Sequence, residues 1–206
     1  MKKLFFIPLL LSFTAVFCQE KNEGGDVTDI AKITFLNPGF SYEKRIGKFQ
    51  TLYLQAFMNT SDTKTSSTYG PDTYDFYFDP AITAQYRYYY NSKRREEKGL
   101  RTSMNNLNYI GPVYQVFFSR IPFTLYTKPA ERRAVQFAGA VWGIQRNYSK
   151  ARFALDINVG PGVLFTKTTF YDSFNDINTT ISQSQFTVYS QLNLGFWLNK
   201  REKSME

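Results

Sequence analysis

From residue 27 onward the chain alternates. In 151–159, Ala151, Phe153, Leu155, Ile157 and Val159 occupy one parity, and Arg152, Ala154, Asp156 and Asn158 the other. Segment 76–90 repeats the pattern, with Phe76, Phe78, Pro80, Ile82, Ala84, Tyr86, Tyr88 and Tyr90 against Tyr77, Asp79, Ala81, Thr83, Gln85, Arg87 and Tyr89. Segments 51–59 and 183–198 do the same, while 109–119 and 134–146 alternate less cleanly but are rich in Val, Tyr, Phe and Gly. A period of two residues puts these sets on opposite faces of a strand. No window of helical length carries a 3.6-residue apolar stripe in this part of the chain, so the expected class is all-β.

Strand number follows from the turns. Seven strands are evident, and Asn37-Pro38-Gly39 divides Val27–Leu36 from Phe40–Ile46 to make eight. Gly47-Lys48 and Asn147-Tyr148-Ser149-Lys150 read as tight turns, whereas 60–75, 121–133 and 167–182 read as longer polar loops. Short turns alternating with long loops suit a closed, antiparallel, up-and-down barrel with both termini at the short-turn end. The run 91–106 is charged and sits by parity among the short turns, where it has the composition for one or two helical turns ending near Gly99. Gly160-Pro161-Gly162 lies within a strand pattern and lacks the Lys-Ser/Thr of a phosphate loop, so a bulge or bend is expected there.

Alternation does not say which face is inside. In a soluble sandwich or lipocalin-like barrel the apolar face fills the core. In a membrane barrel it meets lipid, and the polar face lines the lumen. Runs of nine or more alternating residues, aromatic clusters such as Tyr86-Tyr88-Tyr90 and Phe117-Phe118, and an opposite face of Gln, Asn, Thr and Tyr favour the membrane. On that assignment the inward set contains the charged residues Glu43, Asp79, Arg87, Arg152 and Asp156. Tyr53, Gln55, Tyr77, Gln85, Gln115, Tyr189, Gln191 and Asn193 join them. Buried charges of both signs must pair, which predicts a lumenal polar network plugging a narrow barrel. A polar path through the lumen, as in a small pore or transporter, is the alternative.

The first 18 residues change the picture of location. Lys2 and Lys3 precede an apolar run from Leu4 to Phe17, and the run is shorter than the roughly 20 residues of a membrane helix. This is the pattern of a secretory signal peptide ending at Cys18. Residues 19–26 form a polar lead, 27–198 the barrel, and 199–206 a charged tail. Ala15-Val16-Phe17-Cys18 also has the outline of a bacterial lipoprotein box, so Cys18 is either removed or lipidated.

Composition excludes more than it assigns. The 206 residues include no histidine and one cysteine. That removes Ser-His hydrolases, His-ligated zinc, Cys-cluster metal sites and intramolecular disulfides. Pairs such as Asp79 with Glu43, or Asp79 with Asp156, are the available carboxylates for acid–base chemistry, and the neighbouring arginines favour salt bridges instead. No enzyme activity, cofactor or metal is expected. The formal charge of +8 and pI near 9.4 fit contact with anionic lipid headgroups better than with nucleic acid.

The arrangement resembles the small outer-membrane β-barrel protein family of Gram-negative bacteria. The residues that carry the resemblance are Asn37–Glu43, Tyr86–Asn91, Asn108–Gly111, Trp142–Arg146 and the last strand ending Phe196-Trp197-Leu198. It implies a monomeric integral barrel in the cell envelope. Its partners would be outer-membrane lipid, lipopolysaccharide and, during biogenesis, the barrel-insertion machinery. A structural or surface-interaction role follows, with loops 60–75, 121–133 and 167–182 displayed outward. A secreted lipocalin-like barrel with an apolar ligand is the reading with the faces reversed.

Overall fold

The computed structural model describes residues 27–65, 73–119, 133–148, 151–172 and 177–199. The signal segment, the polar lead and most of the tail lie outside them, as does 120–132. Eight antiparallel strands follow one another around a closed barrel: β1 (Ile30–Thr34), β2 (Gly39–Gly47), β3 (Gln50–Thr65), β4 (Thr73–Tyr89), β5 (Asn108–Ser119), β6 (Arg133–Asn147), β7 (Phe153–Asp172) and β8 (Ile177–Trp197). One short helix, α1 (Ser92–Glu97), sits between β4 and β5, and Gly99 just beyond it adopts a left-handed φ of 64°. Asn37-Pro38 lies in the turn that separates β1 from β2, so the eighth strand comes from splitting the N-terminal segment.

Two expected loops are largely strand. β3 continues to Thr65 and β4 begins at Thr73, while β7 and β8 remain paired out to Asp172 and Ile177. Residues 180–186 of β8 are exposed on both faces, so the β7–β8 hairpin stands clear of the barrel as a two-stranded ribbon. Thr and Ser dominate both extensions, and such residues serve an exposed ribbon as well as a loop.

Register sets the shape. Paired residues lead from Ile33 through Phe40, Ala56, Ile82, Val116, Gln136 and Phe165 to Ser184. Trp197, thirteen residues further along β8, pairs with Lys32, so the circuit returns twelve residues above its start. Twelve rises of about 3.3 Å against eight strand spacings of about 4.8 Å put the strand tilt near 45°. Each residue then climbs about 2.3 Å along the barrel axis.

Gly160-Pro161-Gly162 produces no bulge. β7 keeps one register with β8 through all three residues, and with β6 on either side of them. Pro161 has no N–H to donate, and the β6 pairing is interrupted only at that point. A Cβ at Gly160 would collide with the carbonyl oxygen of Ala140, and one at Gly162 with the Phe137 ring, so the glycines let β6 and β7 approach.

The faces resolve the ambiguity of the alternation. On β4, Asp79, Ala81, Thr83, Gln85, Arg87 and Tyr89 are buried, while Phe78, Ile82 and Tyr88 are exposed, as is Tyr90 just beyond the strand. On β7, Ala154, Asp156 and Asn158 are buried, and Ile157, Val159 and Phe165 are exposed. β3 repeats this, with Tyr53 and Gln55 inside and Leu52 and Leu54 outside. The polar face is the inside of this barrel.

Candidate functional site: a charged layer across the lumen

Seven strands, β1 to β7, and one loop bring inward residues to one level. Arg87 on β4 is the centre. Its Nη1 lies 2.7 Å from Asp156 Oδ2 on β7 and donates to Gln145 Oε1 on β6 at 2.7 Å. Nε donates to Gln85 Oε1 at 2.9 Å. The guanidinium carbon lies 3.7 Å from the centroid of the Tyr53 ring and 4.2 Å from that of Tyr109, so two aromatic faces hold the cation between them. Tyr109 donates its hydroxyl proton to the other oxygen of Asp156 at 2.7 Å.

Glu43 on β2 is the second anion. It accepts from Thr51 Oγ1 at 2.7 Å, from Asn105 Nδ2 at 3.0 Å, from Gln145 Nε2 at 3.1 Å and from the hydroxyl of Tyr89. Arg87 Nη1 and Lys32 Nζ stand 3.8 and 3.9 Å from its Oε2. Two cations and two carboxylates therefore balance in a layer whose charged side chains are at most 4% exposed. Burial of charge on this scale requires pairing, and the pairing here is uneven, since Lys32 Nζ and Arg87 Nη2 have no hydrogen-bond partner among the described residues.

The lower end is closed beneath this layer. Met104 and Asn105 adopt left-handed φ values of 60° and 52°, which turn the Asn105 side chain into the lumen. There it accepts from the Thr28 N–H at 2.7 Å and donates to the Thr28 carbonyl at 2.8 Å. Val27, Leu107, Tyr89 and Tyr109 pack together below Arg87. Immediately above the layer the lining is amide and aromatic: Gln55, Gln191 and Asn193 exchange hydrogen bonds, and the Phe137 and Tyr189 rings stack at 4.9 Å. The amide of Asn158, though buried, has no hydrogen-bond partner among the described residues at either atom.

Of the five charged residues expected in the lumen, Glu43, Arg87 and Asp156 meet in this layer. Asp79 is buried too, but eight residues up β4 from Arg87, about 26 Å along the strand. It therefore cannot form a carboxylate pair with Glu43 or Asp156. Arg152 is a correction: it is exposed, in a left-handed turn of φ 53° before β7 begins, with its guanidinium 5.4 Å from the Trp197 ring. Parity fails there because the chain has not yet entered the strand. Tyr53, Gln55, Gln85, Gln115, Gln191 and Asn193 are buried and Tyr189 is partly buried, while the side chain of Tyr77 lies outside the described residues. Sequence reasoning misses Lys32, Gln145 and Asn105. Pairing of Lys32 with Ser41 puts it on the face of Glu43, a signal available once β1 and β2 are read as a hairpin.

A second cluster joins the chain ends outside the lumen. Asp29 accepts from Lys44 Nζ at 2.6 Å, the Arg45 N–H at 2.7 Å and the Tyr42 hydroxyl at 3.1 Å. Partial burial pushes its carboxyl up, but these donors outweigh it and hold the pKa below the ordinary 3.8. Asn199 closes β8 onto β1 by donating to the Asp29 carbonyl at 2.6 Å.

Among the described residues no group of three or more potential metal ligands is present. No protein family, curated protein or solved structure matches the chain.

Proposed function

We propose that this protein is an integral outer-membrane β-barrel with a structural and surface-interaction role, secreted by its N-terminal signal and held as a monomer in lipid. The observation that carries the reading is the inversion of faces: ion pairs and amides inside, apolar side chains outside. Phe153, Leu155, Ile157, Val159, Pro161, Val163 and Phe165 form an unbroken outward apolar series on β7. Twelve residue steps at the 45° tilt climb about 28 Å, close to the thickness of the hydrocarbon core. Lys44 and Arg146 lie near one end of this band and Lys167 beyond the other. Tyr42, Tyr88, Tyr90, Trp142 and Tyr148 gather towards the end with the short turns, and Trp142 Nε1 donates to the Tyr90 hydroxyl at 2.7 Å. This is the girdle expected where hydrocarbon meets headgroups.

The charged layer makes the lumen a plug, with no enzyme activity and no cofactor assigned to it. Arg87, Tyr53, Tyr89 and Tyr109 are each at most 1% exposed, which supports the plug over the pore reading. Among the described residues, the long hairpins β3–β4 and β7–β8 reach the exterior, and they replace the expected loops 60–75 and 167–182 as contact surface. Outer-membrane lipid and lipopolysaccharide are the partners of the band, and the insertion machinery is its partner during assembly. Heat-modifiable gel mobility tests the reading. The mature protein should fractionate with outer membranes and migrate faster unboiled than boiled. Solubility without detergent and no shift would overturn it in favour of a secreted barrel.

A further inference from the structure

β1 is too short for the wall it belongs to. Its pairing with β8 ends at Thr34 with Gly195, followed by the Phe35 N–H to the Leu194 carbonyl at 2.9 Å. The chain then turns back through 35–38, and Asn37 Nδ2 donates to the Leu192 carbonyl at 3.1 Å. On the other side of the turn, the Met58 N–H donates to the Pro38 carbonyl at 2.9 Å. Beyond these contacts, among the described residues, β8 pairs only with β7, and β3 only with β4.

The register gives the height of this step. With about 2.3 Å of climb per residue and a further 3–4 Å per strand, the β1–β2 turn tops out about 8 Å above Ile33. Phe165 and Phe186, both outward, stand about 20 Å above it on the same scale. For about 12 Å of the apolar band, no strand among the described residues therefore stands between β8 and β3. A cavity of about 350 Å³ lies at this notch. Its lining mixes the two faces: Phe57, Gln115 and Gln191 belong to the inside, whereas Leu36, Ser190 and Leu192 belong to the outside. A cavity walled by both faces passes through the wall. Its size falls at the low end of small-ligand sites, about 300–1,000 Å³.

We propose that this notch is a lateral portal that binds a single-chain amphiphile with an uncharged, hydrogen-bonding head. The proposal rests on the membrane reading, because that places the notch in the outer half of the hydrocarbon region. The chain lies over Leu36, Phe57 and Leu192 and leaves into the bilayer. The head meets Gln115, Gln191 and the Asn59 amide. Among the described residues no charged side chain lines the cavity, and Asp79, buried and paired across from Asn59, is an anion, so an anionic head entering from the bilayer would find no counter-charge there. The charged layer of Arg87 and Asp156 lies below and closes the floor, which makes the site a pocket and not a passage.

The test uses the mature chain in phosphatidylcholine–phosphatidylglycerol vesicles with a diazirine-bearing monoacylglycerol. Flotation first establishes incorporation, and failure to incorporate would overturn the membrane reading and the portal with it. In incorporated protein, crosslinks should concentrate at least fivefold on 57–59 and 190–192 relative to the opposite wall, around Tyr114 and Ala138 on β5 and β6. Monolauroylglycerol should compete, and dodecyl sulfate should not. Ser190→Trp, an outward position, should cut labelling at least tenfold while the boiled–unboiled mobility shift persists. Gln191→Leu should lower labelling severalfold and weaken the preference for the uncharged competitor. Even labelling around the band, no labelling, or a crosslinked pair of chains at the notch would each overturn the portal while leaving the membrane reading intact.

Discussion

Replacing Asp156 with leucine removes the carboxylate that holds Arg87. Arg87 loses a 2.7 Å ion pair and Tyr109 the acceptor of its hydroxyl. Two cations, Arg87 and Lys32, are then left in the layer with Glu43 alone. At an effective dielectric constant of about 20, unit charges about 4 Å apart attract by about 4 kcal/mol. Desolvation offsets much of that in the native pair, but stripping one partner leaves the other buried and unpaired, and such deletions cost about 3–5 kcal/mol. Asp156→Leu should therefore lose about that much. Arg87→Met alone should lose a similar amount, and the double variant should lose much less than the two together. The assay is urea unfolding in lipid vesicles followed by tryptophan emission, with the folded fraction read from unboiled gels. A loss below about 1 kcal/mol for Asp156→Leu, or additive losses in the double variant, would mean that no coupled network plugs the lumen.

The other predictions are local. Val159→Arg puts a charge near the middle of the outward band and should cost about 2–4 kcal/mol in lipid, whereas a water-facing position would lose almost nothing in the same titration. Gly160→Val forces a side chain onto the Ala140 carbonyl, so yield of the heat-modifiable form should fall sharply, and unchanged yield would contradict the close approach of β6 and β7. The depressed pKa of Asp29 adds stability that is fully present above 3.8 and disappears as pH falls through its lower folded value. With Lys44 half exposed, that contribution is at most about 1 kcal/mol, so Asp29→Asn should unfold slightly earlier at neutral pH and match the parent in strong acid.

Much of this fold is legible because alternation survives in a barrel whose inward face is polar and outward face apolar. β4 and β7 show it over long stretches, and parity alone sorts Arg87 and Asp156 to one face. β6 is harder to read because Gly139, Val141 and Gly143 occupy inward positions beside an outward Ala138 and Ala140, so Gln145 carries no contrast with its neighbours. Lys32 stays hidden because a five-residue strand offers too few positions to show a period. Asn105 cannot be read from periodicity at all, since it reaches the lumen through a left-handed turn in a loop. The notch is a property of strand lengths compared across the closed ring, and no window of sequence holds that comparison.

Whether the apolar side chains face lipid while the polar ones face inward can be measured on the two native tryptophans. Trp142 is 41% exposed on the outward face, and Trp197 is 3% exposed inside the wall. Trp197→Phe and Trp142→Phe each leave one emitter for reconstitution into vesicles with brominated acyl chains. Brominated chains should quench Trp142 strongly and Trp197 little, and aqueous iodide should have little effect on either. Trp142 quenched by iodide and untouched by brominated lipid would put water, not hydrocarbon, against the outward face.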